Sequence, residues 1–218
     1  MQNRRHLDAK GVTLIELLVV LVLTGLVIGG IYRLFVAQTR AYTVQDQVVE
    51  VQQTIRSAME ILLRDLRMAG YDNDSLTSKI GIANPIFVDP VNGDRTVTVN
   101  YEYDDTHRHE VMYYLDNGNL RRQLTIWPDV GPSTSTNDVI LEHVEGLNFT
   151  YGVDTAPFDG ALDRWAIDVT DIKGNEKVVA IRIALTANPD QTNPDVKKWV
   201  SPRTLTSTVT LRNLCFSK

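Results

Sequence analysis

From Leu17 to Tyr32 the chain carries no charged residue, and Val12–Ile15 extend the apolar stretch upstream. The whole run is close to the roughly 20 residues that cross a bilayer as a helix. Hydrocarbon offers the backbone no hydrogen-bond partner, so a segment of this kind must satisfy its own N–H and C=O groups as a helix. One residue near its start does not fit, the carboxylate of Glu16. A charge at such a depth costs about 3 kcal/mol on insertion scales, and residues kept at that cost are usually functional. A cation at the same depth would offset the cost. No Lys or Arg stands close on this helix, and Arg33 is several turns away. The cation can come from a second subunit or from a new amino terminus. If the chain is cut after Gly11, Val12 carries a free ammonium about one helical turn from Glu16. That ammonium can then neutralise the Glu16 of a neighbour.

The flanking charges orient the segment. Residues 1–11 carry Arg4, Arg5 and Lys10 against Asp8, a net of +2, so of the total charge of −5 the remaining residues carry −7. A basic head before an apolar helix stays on the cytoplasmic side, with the acidic body across the membrane. The acidic balance also argues against a nucleic-acid partner, which calls for a basic face. A secretory signal peptide has a similar basic start and apolar centre but needs a small-residue cleavage site after it. Gly29–Gly30 is a poor candidate, because "IYRLFVAQTRAYTVQDQVVEVQQ" reads as the same helix continuing.

The continuation is amphipathic. Val44, Val48, Val51, Ile55, Ala58, Leu62, Leu66 and Ala69 recur at steps of four and three, a single helical stripe, with Gln45, Asp46, Gln52, Gln53, Arg56, Glu60 and Arg64 between them. No proline precedes Pro85, Arg64 and Arg67 suit a helix C-terminus, and Gly70 suits its cap. These features predict one helix from about Thr13 to Ala69, apolar all round in its first half. The stripe is expected to cover strands of its own domain rather than form a coiled coil. Gly25 and Gly29 are small residues four apart that let membrane helices approach closely, and the Gly29–Gly30 pair can also mark a bend.

Beyond Gly70 the period becomes that of strands. Candidates are Arg95–Tyr103, His109–Leu115, Leu120–Ile126, Val139–Glu142, Gly146–Gly152, Arg164–Asp168, Val178–Thr186 and Leu205–Leu211, with Asn117-Gly118 as a hairpin turn. Pro128, Gly131 and the Ser/Thr run after Pro132 read as one loop, and Asn188–Asp195 as another, long and mobile. The fold expected is α+β, an antiparallel sheet laid on the second half of the long helix. Four parts follow: residues 1–11, a cleaved cytoplasmic leader; 12–37, a membrane and filament-core half-helix; 38–70, an amphipathic half-helix; and 71–218, a β-rich periplasmic domain.

Candidate chemistry is sparse. "DDTHRHE" brings His107 and His109 near several acids, but a third well-placed metal ligand is not evident and a solvated turn explains the residues. "DPVNGD", "YDND" and "DTAPFDGALD" resemble oxygen-rich calcium loops only loosely, and turn chemistry accounts for them. Serine-nucleophile and phosphate-loop motifs are absent, so neither an enzyme nor a cofactor is expected. The single cysteine, Cys215, excludes an intrachain disulfide and reads as a partly buried residue near the end of a terminal strand.

"KGVTLIELLVVLVL" resembles a type IV prepilin N-terminus, with its short basic leader, Gly11, and Glu16 inside an apolar run in fixed register. "QVVEVQQTIRSAMEILLRDLRMAGYD", "VEGLNFTYG" and "STVTLRN" extend the resemblance to PilW-type minor pilins, which are similar to J-type pseudopilins of type II secretion. The resemblance implies cleavage between Gly11 and Val12 by a prepilin peptidase and N-methylation of Val12. Val12 departs from the family, which usually has Phe there. Major pilins often carry a proline in the apolar half-helix; Arg33 in that neighbourhood and a larger globular part favour a minor subunit. The function implied is a pilus subunit acting in assembly initiation or at the filament tip, with a role in adhesion. It would be held in the inner membrane before assembly, single-pass, with a periplasmic C-terminal domain. The implied partners are the peptidase, other minor pilins, the major pilin and inner-membrane lipid. A pseudopilin of a secretion pseudopilus is the alternative within this class, and a signal-anchored periplasmic binding protein is the alternative outside it.

Overall fold

The computed structural model describes residues 11–72, 86–87, 96–189 and 192–215. The first element is α1, Leu14–Met68, a helix of 55 residues. It agrees with the predicted span to within a residue at each end. The chain forms two compact units, Met1–Gln45 and Asp46–Lys218.

In the first unit the described residues 14–45 are helical, and the helix continues without a break through Gly25, Gly29 and Gly30. Its apolar side chains are exposed: Leu14 at 80%, Leu26 at 70% and Phe35 at 64%. A water-soluble protein does not leave such a surface bare, and the helix is long and apolar enough to cross a membrane. Thr39 and Thr43 donate their hydroxyls to the carbonyls of Phe35 and Thr39, so these polar groups are satisfied on the helix itself.

In the second unit the helix buries the predicted stripe from Val51 onward: Val51, Ile55, Ala58, Leu62 and Leu66, together with Met59, Leu63 and Asp65. The helix ends where Gly70 takes φ +71°, a left-handed conformation that costs glycine little. The Gly70 N–H donates to Asn100 O at 2.9 Å, and the Asn213 side chain donates to Ala69 O at 3.2 Å. The last turn is therefore tied to one strand and to the chain's C-terminal end.

Two antiparallel sheets follow where one was expected. The first has the order β1 (Ile86–Phe87), β2 (Thr96–Asp104), β3 (His107–Asp116), β4 (Asn119–Pro128), β5 (Thr134–Leu141). The second has the order β7 (Arg164–Ala166), β6 (Val144–Asp154), β8 (Lys177–Ala187), β9 (Arg203–Thr210). Asn117 and Gly118, both at positive φ, make the two-residue turn between β3 and β4. The chain changes sheet at Glu142–His143, where Val144 N–H reaches back to Gly118 O at 2.7 Å. Alternate residues of both sheets join the α1 stripe in one core: Val97, Val99, Val111 and Tyr113 from the first, Leu147, Phe149, Tyr151, Ile181, Ile183 and Leu185 from the second.

Three readings are corrected. The Ser/Thr run after Pro132 is not a loop. Thr134–Asp138 opens β5, an edge strand whose solvent exposure leaves it no apolar alternation to read. The segment read as a loop over Asn188–Asp195 already contains the start of α2, Pro194–Trp199, where proline occupies the first helical position and loses no helical bond. Cys215 ends not a strand but a helical turn, α3, Arg212–Cys215, since β9 stops at Thr210.

Candidate functional site

Gly11 and Val12 precede the helix in exposed, non-helical backbone, and Thr13 stands at the N-cap position. The Thr13 hydroxyl accepts from the Glu16 N–H at 3.3 Å, and Thr13 O accepts from the N–H groups of Glu16 and Leu17 at 3.1 and 3.2 Å. Thr13-Leu-Ile-Glu16 is thus the Ser/Thr-x-x-Glu pattern of a helix start. The pattern was present in the sequence and gives Glu16 a second role. It lies in the first turn, where the helix's unpaired N–H groups favour an anion. Val12 and the Glu16 carboxylate thus lie on one short segment, four positions apart.

Above this segment the helix carries three glycines. A Cβ built on Gly25, Gly29 or Gly30 meets nothing within 4 Å. Their small surfaces are open, and Gly25-x-x-x-Gly29 has the spacing that admits a second helix at close range. Hence Gly11, Val12, Glu16 and the three glycines all lie on residues 11–30, exposed among the described residues.

The remaining polar constellations are occupied internally. In the β2–β3 turn, Asp104 accepts from the Thr106 N–H at 2.8 Å and lies 2.9 Å from His107 Nδ1. The Thr106 N–H, with His107 and the Thr106 hydroxyl, holds the Asp104 carboxyl down at about 2. His109 does not join His107. It stacks on Tyr103 at 4.4 Å and meets Tyr101 edge-on at 5.4 Å, and burial, with Arg122, pushes its pKa down. In "DTAPFDGALD" the acids accept from the loop's own groups: Asp154 from Gly160 N–H at 2.8 Å, Asp159 from Ala161 N–H at 2.9 Å, Asp163 from the Thr155 N–H at 2.8 Å. Among the described residues no group of three His, Cys, Asp or Glu side chains is placed to hold a metal ion. "DPVNGD" and the second half of "YDND" lie outside the described residues. The Cys215 thiol is half-buried, and burial raises its pKa.

One constellation escaped sequence reasoning. Asp65, inside the α1 stripe, accepts from Tyr113 OH and from Arg122 Nε, both at 2.7 Å. Its side chain is 5% exposed and that of Arg122 16%. The signal was an acid between Leu62 and Leu66 on an apolar face, matched by an arginine on a strand otherwise suited to the core. A groove of about 600 Å³ runs beside the same helix, lined by Gln47, Glu50, Thr54 and Ser57 and by Ile140–His143. Its lining offers hydrogen-bonding side chains.

Residues 112–213 match the family model described as Type IV Pilus-assembly protein W, and residues 7–32 match the Prokaryotic N-terminal methylation motif. No curated protein matches the chain significantly. The two matches fall on different parts of the molecule, the first from β3 to α3 and the second across Gly11, Val12, Glu16 and the start of the apolar helix. They bear out the resemblance: the chain is type IV prepilin-like, with a membrane-capable N-terminal helix and a role related to type IV pili.

Proposed function

We propose that this prepilin-like chain is a non-catalytic minor pilin that helps initiate a type IV pilus or caps its tip. Prepilin peptidase cuts between Gly11 and Val12, and Val12 is N-methylated. Until assembly the apolar half of α1 holds the protein in the inner membrane, single-pass, with the sheets in the periplasm. In the filament that half-helix packs among those of other minor pilins and the major pilin, with Gly25, Gly29 and Gly30 allowing close approach. Glu16 accepts the Val12 ammonium of a neighbour, so one ion pair per subunit sets the axial register.

The observation that carries this reading is the register of the N-terminal segment. Gly11–Val12, a capping Thr13 and a carboxylate at Glu16 stand at the start of an apolar helix whose side chains are exposed among the described residues.

The test is Glu16→Leu. Removing a charge from hydrocarbon leaves insertion as good or better, and cleavage after Gly11 persists. Assembly is lost, because a neighbour's Val12 ammonium stays unpaired; breaking one side of a buried pair costs about 3–5 kcal/mol. Glu16→Gln keeps shape and backbone capping but not charge, and shares most of the defect. Co-purification with partner pilins from solubilised membranes and a count of surface filaments read the outcome. Wild-type values of both for Glu16→Leu overturn the ion pair and leave Glu16 as a helix-start residue only.

A further inference from the structure

Among the described residues no strand pairs the outer edge of β9 in the second sheet, and that edge is well suited to receive another strand. Edge strands are normally blunted by shortness, bulges, proline or lysine. Of the four edge strands, β1 has two residues and β7 three. β5 is longer but pairs β4 with a register shift at Leu120/Arg121. β9 has none of these protections. It pairs β8 in unbroken register from Ala180↔Thr210 to Ala187↔Arg203, and "RTLTSTVT" contains no proline and no lysine.

Which backbone groups face out follows from one hydrogen bond. Leu211 N–H donates to Val179 O at 2.8 Å, continuing the β8–β9 register. Bonded and non-bonded positions alternate along an antiparallel pair. Leu205, Ser207 and Val209 therefore turn their N–H and C=O toward β8, while Thr204, Thr206, Thr208 and Thr210 turn theirs to the open edge.

A cleft of about 420 Å³ lies against that edge, lined by Thr208, Val209 and Thr210, by Arg67 from the last turn of α1, and by Arg212. Three consecutive strand residues share one cleft only if it reaches the strand from its edge. Neighbouring side chains point to opposite faces, and that of Val209 is buried at 3% exposure. Arg67, Arg203 and Arg212 are exposed, and among the described residues none has a carboxylate partner. On a protein of net charge −5, this makes a local basic edge.

We infer that the β9 edge is a docking site for an extended acidic segment of another polypeptide, added as a fifth strand to the second sheet. Its backbone pairs with Thr204–Thr210, and its carboxylates meet Arg67 and Arg212. Backbone pairing gives affinity and the arginines give sign selectivity. A simple anion would use the arginines and leave the strand edge idle. The inference does not depend on filament formation through Glu16.

The test uses the full chain in detergent micelles and two fluorescent ten-residue peptides of alternating Thr and Val, one carrying aspartates and the other lysines at the same places. Anisotropy is expected to show at least tenfold tighter binding of the aspartate peptide. Thr208→Pro removes an N–H that faces outward and no bond to β8, so the fold holds while binding falls at least tenfold. The double variant Arg67→Glu/Arg212→Glu alters only exposed side chains, and it should reverse the preference toward the lysine peptide. It decides the matter if the proline variant misfolds. Equal binding of the two peptides, undiminished binding by a folded Thr208→Pro, no reversal in the double variant, or complete displacement by inorganic phosphate would each overturn the proposal, the last by reducing the site to an ion site.

Discussion

Asp65→Ala should be among the most damaging single changes in the second unit. The carboxylate accepts two hydrogen bonds at 2.7 Å, from Arg122 Nε and Tyr113 OH, in a site where the acid is 5% and the arginine 16% exposed. Arg64 is 3.6 Å from the other oxygen, but at 70% exposure it adds little. Without Asp65 a guanidinium and a phenol remain buried with their shared acceptor gone, a loss of about 3–5 kcal/mol. For a unit of this size each kcal/mol lowers Tm by about 2–4 °C, so the total fall is about 6–20 °C. Tyr113→Phe removes one donor and no charge, and should cost about 1–2 kcal/mol. Replacing both ions, as in Asp65→Leu/Arg122→Met, should recover most of the loss, because no charge is then stranded. The assay is thermal unfolding of a soluble fragment beginning at Tyr42, followed by near-ultraviolet circular dichroism. If Asp65→Ala costs no more than Tyr113→Phe, or if the double variant is as unstable as the single one, the network is not the buried charge pair described here.

The same network predicts an alkaline limit. Burial first, and then the charge of Asp65, raise the Tyr113 pKa well above its ordinary 10.0, so the unfolded chain releases this proton at a lower pH than the folded one. This contribution to stability is complete below pH 10.0 and declines as pH rises above it. The decline should be shallower in Tyr113→Phe when urea midpoints are compared across that range. Leu62→Ala, at a position with 0% exposure, should cost about 2–5 kcal/mol in the same fragment, whereas exposed Gln53→Ala should change little; equal effects would mean that the stripe does not face the sheets. Gly11→Val puts a branched side chain at the proposed scissile position and should accumulate full-length, membrane-inserted precursor on immunoblots; normal-sized mature protein would move the cleavage site elsewhere.

Periodicity located what periodicity can locate. The 55-residue helix announced itself because nothing between Thr13 and Gly70 interrupts it, and Val51 to Leu66 kept the spacing of a buried face. β6 and β8 were legible because their odd-numbered residues, Leu147, Phe149, Tyr151 and Ile181, Ile183, Leu185, fill the core. Of β5 only the end, within the Val139–Glu142 candidate, was legible, because its first six residues are exposed and a solvated edge imposes no alternation. Two sheets instead of one could not be read, since the change of sheet turns on the two residues Glu142 and His143, the latter at φ +56°. Asp65 was hidden for another reason: a helical stripe is recognised by its apolar members, and the acid within it makes sense only when Arg122, 57 residues away, is brought beside it. The N-terminal methylation motif could be recognised because its residues are local, with Glu16 four positions beyond Val12.

That locality has a mechanical consequence. On the proposed function, a subunit held by its N-terminal half-helix can carry load only if the other half of α1 does not peel from its sheets. Apolar burial alone resists this weakly in one direction, since side chains that slide along a core lose little area until they leave it. Directional bonds resist sliding. Asp65 meets β3 and β4 through Tyr113 and Arg122, and at the helix end Gly70 N–H is tied to Asn100 O while Asn213 holds Ala69 O. These bonds cluster in the last turns of α1, beyond most of the apolar stripe, so the stripe lies between the membrane half of the helix and its polar lock. A pull along the helix must then disturb Val51, Ile55, Leu62 and Leu66 together before it can slip by one turn. On this argument Asp65→Ala should lower the force at which α1 is stripped from the soluble fragment by more than Leu62→Ala does, even where the two variants lose equal equilibrium stability. Optical-tweezer extension between Tyr42 and the C-terminus would measure it, and equal rupture forces for the two variants would assign the resistance to burial alone.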